Sequence, residues 1–125
     1  MKQKVHSVSY LAKAEFEFKD GVYDLVALPT GAEVVKVSLE VVGVVTSGSV
    51  SVGFKDETKK DYFLNLSNAE NITSGSKINN VTSAKDYTAT SNKVIVVEVK
   101  KANGDNTKGV LRVLYFLPSV IEVEY

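Results

Sequence analysis

Apolar and polar residues alternate along this chain in short runs that Gly, Asn, Asp and Pro interrupt. The clearest run interleaves Val35, Val37, Leu39 and Val41 with Lys36, Ser38 and Glu40. Side chains of a strand point alternately to its two faces, so this run has one dry face and one wet face. The spacing of three and four that marks an amphipathic helix is absent from it. The pattern predicts an all-β protein.

About eight strands are expected, each bounded by turn residues. The first runs from Val5 to Phe18, with Ala14, Phe16 and Phe18 alternating with Glu15 and Glu17. Asp20-Gly21 turns it into a short strand from Val22 to Leu25, and Leu28-Pro29-Thr30-Gly31-Ala32 is the next turn. The strongest strand spans Val34 to Val42, with Gly43 as a bulge or bend. Ser47-Gly48-Ser49 reads as a tight hairpin turn into Val50, Val52 and Phe54. Residues 56–61 form a charged hairpin tip before Tyr62, Leu64 and Leu66.

Residues 67–86 are rich in Ser, Asn, Thr and Gly and read as a long loop with room for one edge strand. Tyr87-Thr88-Ala89 starts another strand. Val94 to Val99 and Val110 to Leu117 read as a hairpin across the Asn-Gly of 102–106. After Pro118 the tail from Val120 to Tyr125 alternates again, and it can complete its own sheet or reach a neighbouring subunit. Together these strands predict a single domain over residues 1–125, a two-sheet, jelly-roll-like β-sandwich of antiparallel strands.

Composition narrows the function classes. A chain of 125 residues with 44% hydrophobic content can bury one core without covalent staples. Cysteine is absent, which excludes disulfides and thiolate metal sites. Acidic and basic residues balance at 15 each, whereas a protein that binds nucleic acid by neutralising phosphates carries a basic surplus. No nucleic-acid partner is expected. No apolar run approaches the ~20 residues of a membrane span, and the basic start lacks the apolar stretch of a signal peptide, so no membrane partner is expected either.

Candidate chemistry is sparse. His6 is the one histidine, so a transition-metal site would need carboxylates alone. Asp56, Glu57 and Asp61 lack the spacing of a calcium loop, and Lys55, Lys59 and Lys60 among them oppose a cation. Asp105 reads as turn chemistry, and no Gly-x-Ser-x-Gly elbow or phosphate-cradling glycine motif occurs. Tyr62, Tyr87 and Tyr115 fall at strand positions and are expected in the core or at sheet edges. No catalytic, metal-binding or cofactor-binding residue is assigned, and an enzyme is not expected.

Three segments carry a family resemblance. They are Leu28-Pro29-Thr30-Gly31-Ala32-Glu33-Val34-Val35, Val50-Ser51-Val52-Gly53, and the ending from Tyr87-Thr88-Ala89 through Val94-Ile95-Val96 to the stretch from Thr107 to Tyr115. In order and spacing the chain resembles small structural proteins of tailed bacteriophages and prophages over roughly Phe16 to Tyr115. Such chains read as a Leu-Pro-Ala-Gly-Ala-Val-Val turn, a Ser-Val-Gly strand, a variable polar middle and a closing Gly-x-Val-x-Val-x-Tyr. The resemblance implies a capsid decoration, head-fibre or tail-associated protein, assembled in a bacterial host cytoplasm. It would act as a homo-oligomer docked on other virion proteins, with no cofactor. Contacts between copies are then expected at Val120, Ile121, Val123 and Tyr125 of the tail and at Ile72 and Ile78 of the polar middle. The competing reading is a glycan- or ligand-binding β-sandwich module that uses the loops at one end.

Overall fold

The alternating runs pair edge to edge into two antiparallel sheets that face each other. The computed structural model describes residues 2–43, 47–66, 78–83, 85–103, 107–118 and 120–124. Among them are eleven strands and no helix: β1 (Lys2–His6), β2 (Ser9–Glu17), β3 (Gly21–Leu28), β4 (Glu33–Val42), β5 (Ser47–Phe54), β6 (Leu64–Leu66), β7 (Ile78–Thr82), β8 (Tyr87–Thr88), β9 (Lys93–Asn103), β10 (Lys108–Phe116) and β11 (Val120–Glu124). One sheet has the order β2-β10-β4-β7, with the short β8 also on β4. The other has the order β3-β9-β5-β6. Among the described residues β1 and β11 pair only with each other, as a two-stranded ribbon.

The core is the slab between the sheets. One sheet contributes Phe16, Val37, Leu39, Val41, Leu111 and Val113. The other contributes Val26, Leu28, Val50, Val52, Phe54, Ile95, Val97 and Val99. Each is an alternate position on its strand, and each such side chain stabilises the fold by about 1.5–3 kcal/mol through removal from water. Among the described residues only Ser38 and Thr107 are buried polar residues.

The chain changes sheet at almost every connection, and this corrects one expectation. Residues 94–99 and 110–117 do not form a hairpin. β9 lies between β3 and β5, while β10 lies between β2 and β4 in the opposite sheet. Both are interior strands with a neighbour on each side, which is why both sequences are nearly continuous apolar runs rather than strict alternations. The expected tight turn at Ser47-Gly48-Ser49 also differs. Gly48, at φ 119°, forms a bulge inside β5 where the register with β9 shifts.

Two further differences come from phase changes in the apolar pattern. The first predicted strand is two, because apolar positions are odd at Val5 and even from Val8 onward, and the chain breaks at residues 7–8. In β4 the register against β10 shifts between Leu114 and Tyr115. Val34 turns inward there and Val35 is left out on the surface, so Val35 does not share the dry face of Val37, Leu39 and Val41. The expected edge strand in the polar middle is β7, on the lower half of β4.

Candidate assembly surfaces

At one end of the sandwich the turn at 29–32 meets the segment at 89–92. Ala32 donates its backbone N–H to Pro29 O, Gly31 donates to Ala89 O, and the Thr30 backbone and hydroxyl both reach Asn92 Oδ1 at 3.0 Å. Gly31 holds φ 89°, the left-handed value this turn requires. At the same end the loop at 55–63 is fastened by Phe54, whose ring meets Tyr62, Phe63 and Tyr87. Tyr62 and Tyr87 thus sit against the core as expected, and so does Tyr115.

The charged tip is tied to this cluster. Lys93 Nζ donates to Asp56 Oδ2 at 2.6 Å and lies over the Phe54 ring, and only 15% of the Lys93 side chain is exposed. The hydrogen bond from Lys93 holds the Asp56 carboxyl below its ordinary 3.8, and the same bond raises Lys93 above its ordinary 10.5. The pair therefore stabilises the fold above the acidic value and below the basic one. Relative to Asp56→Asn, the native chain should melt higher by a constant margin between about pH 5 and 9. That margin should shrink as pH falls below 3.8, because the unfolded carboxyl then takes up a proton that the Lys93-bonded carboxylate still resists. Paired thermal melts across pH check this, and a margin that persists at about pH 2 would refute it.

The terminal ribbon leaves the same end. Its register sets His6 against Val120, Val5 against Ile121, Lys4 against Glu122, Gln3 against Val123 and Lys2 against Glu124. The two strands thus pair antiparallel over five positions. His6 Nδ1 lies 3.0 Å from Leu117 O, and Leu117 donates its N–H to Val8 O, which ties the ribbon's root to the sandwich. The tail completes its own two-stranded sheet within the chain.

Of the expected contact residues, Val120, Ile121 and Val123 are on β11. Ile72 and Tyr125 lie outside the described residues. Ile78 opens β7 opposite Val42, at the end of β4 away from the ribbon. Glu33, at the ribbon end of β4, is nine residues from Val42, or roughly 30 Å along a strand. The structure does not bring Ile78 and β11 together.

The outward faces of the sheets carry two shallow hollows. One, of about 230 Å³, lies under the 58–61 loop on the four-stranded sheet, and Ser49, Ser51, Asn65, Glu98 and Lys100 line it. No aromatic ring on which a sugar could stack lines it. The other, of about 240 Å³, is more apolar and lies on the five-stranded sheet among Leu11, Lys36, Ser38, Arg112 and Leu114. Among the described residues no group of three or more His, Asp or Glu is placed to hold a metal.

Known structures decide the family. A chain of the "acidic stable" capsid structure of Helicobacter pylori bacteriophage KHP30 matches this chain over 100% of both, at 72% sequence identity and a TM-score of 0.90. This chain belongs to the same family of bacteriophage capsid proteins. Two more distant chains share the fold. One is from the cyanophage Pam1 capsid asymmetric unit, at 19% identity and a TM-score of 0.70 over 90% of this chain and 87% of that one. The other is from the capsid of Ralstonia phage GP4, at 13% identity and 0.63 over 92% and 88%. No family model and no curated protein matches.

The capsid-family chain is a structural component of a virion. Its surface holds apolar residues that sequence reasoning passed over. Val5, Val8, Tyr10 and Leu11 are all exposed around the ribbon's root, Leu11 at 62%. A signal for Leu11 is present in the sequence. On β2 the odd positions 13, 15 and 17 are Lys, Glu and Glu, and Leu11 breaks that polar face.

Proposed function

We propose that this protein is a non-enzymatic decoration protein that sits on the outside of a phage capsid and holds its place by self-association and docking. Family membership supports a place in the capsid rather than in the tail. The observation that carries the finer reading is the β1–β11 ribbon. A two-stranded sheet alone is marginally stable in water and needs a further strand or a packed surface to persist. Among the described residues no third strand joins it. A partner that covers the ribbon supplies what the chain lacks, and copies of the same chain or the shell beneath are the partners such a particle offers. Assembly would take place in the cytoplasm of the bacterial host, before the particle is released.

Light scattering on the purified chain should show an oligomer, and removal of residues 119–125 should raise its dissociation constant about tenfold or more, the loss of one small contact. A chain that stays monomeric at millimolar concentration, with or without the tail, overturns the reading. So does the absence of the protein from purified particles analysed by mass spectrometry.

A further inference from the structure

The outward face of the five-stranded sheet is sorted by charge along the strands. Cross-strand register puts Lys13 beside Arg112 and Leu114 beside Lys36, toward the ribbon. It puts Val110 between Glu15 and Glu40, with Glu17 beside Lys108 one row further on. Glu33, beside Phe116, is the one carboxylate that the register puts in the half near the ribbon; that half is basic on balance and the far half acidic on balance. Arg112 and Glu40 join across the boundary at 2.9 Å. Lys13, Lys36 and Glu15 are exposed and make no ion pair with any described residue. The basic half also holds the exposed Leu11 and the apolar hollow beside it.

A face with this pattern is complementary to itself in one orientation. A two-fold axis that lies in the contact plane and runs across the strands reverses the strand direction of a second copy. Each basic half then lies on the other copy's acidic half, with Lys13 over Glu15 twice. An axis along the strands would stack like charge on like, which costs rather than stabilises.

We propose that this face is a contact between two copies of the chain, packed sheet on sheet with antiparallel strands. The inference rests on the reading of the protein as a self-associating virion component and assigns it a second surface, apart from the ribbon. The face is about 500 Å², four strands by nine residues, against the ~800 Å² per partner of a stable free complex. The pairing is therefore weak between free chains. It gains strength where copies are already held side by side on a shell, because the second contact is then intramolecular. Exposed charges attract less through salt, so the pairing weakens as ionic strength rises.

Sedimentation velocity over a concentration series at low salt tests it on the full chain and two double variants. One carries Lys13→Glu and Lys36→Glu, and the other carries Glu15→Lys and Glu17→Lys. All four side chains are exposed, so thermal melts should match the native chain. Each variant alone should associate about tenfold more weakly, and an equimolar mixture should recover to within about threefold of native. Association unchanged by either reversal, or a mixture that fails to recover, overturns the contact. Loss of association on removal of residues 119–125, with no response to charge reversal, overturns this face and leaves the ribbon reading standing. A monomer throughout overturns both.

Discussion

Phe54→Ala should lower the unfolding free energy by about 3–5 kcal/mol, the cost of deleting a fully buried ring and leaving its cavity. Phe54 has no solvent exposure, and its ring centroid lies 4.5 Å from that of Tyr87 and 5.3 Å from those of Tyr62 and Phe63. Those rings come from the 55–63 loop and from β8, which also touch each other through Tyr62 and Tyr87, 5.5 Å apart. Collapse around the void is restricted, because Tyr62 is held by its hydroxyl on Asp86 O and by Lys85 over its ring. A small domain has about 5–15 kcal/mol in total, so the variant should lose a third or more of its stability. Urea unfolding measures the shift in midpoint. A loss below about 1.5 kcal/mol would mean that the cluster repacks and does not fasten the loop.

Gly53→Val should cost about 3 kcal/mol for a different reason, overpacking against main chain. A Cβ at Gly53 would lie 2.5 Å from Asp61 N and from Lys60 C. Neither atom can swing aside as a side-chain tip can, so the loop has to lift off the sheet. The same loop closes over the polar hollow, whose lining includes Lys60 and Asp61. Amide exchange should quicken at 58–63 and the melting temperature should fall by about 10 °C. Native exchange in that loop with an unchanged melting temperature would show that the crossing is looser than its geometry.

These two positions also mark how far the sequence could be read. Phe54 was legible as a core residue, since it ends the alternation of Val50 and Val52. The close approach over Gly53 was not, because a glycine in a strand signals room for something without saying what enters it. The all-β class, the turn at 29–32 and most strand limits followed from local periodicity and turn residues. Strand partners did not. The sequence between β9 and β10 is rich in turn residues and the two strands still pair elsewhere, because both are interior strands and partner choice is settled by neighbours far away in sequence. The bulge at Val35 escaped for a related reason: one inserted residue leaves the composition of the run intact while it moves a valine to the surface. The basic and acidic halves of the outward face became visible only when register laid β2, β10 and β4 side by side, since Lys13 and Lys36 are 23 positions apart.

The pairing of β1 with β11 joins two segments far apart in the sequence. His6 and Leu117 are separated by 111 positions, so β1 has to wait for nearly all of the intervening chain before its partner exists. Strands that wait for a distant partner form late, after the intervening loop has paid its closure entropy. A truncated or stalled product would carry β1 without its mate and would not present a finished ribbon. Under the role proposed for the ribbon, a chain without β11 would be left out of the particle.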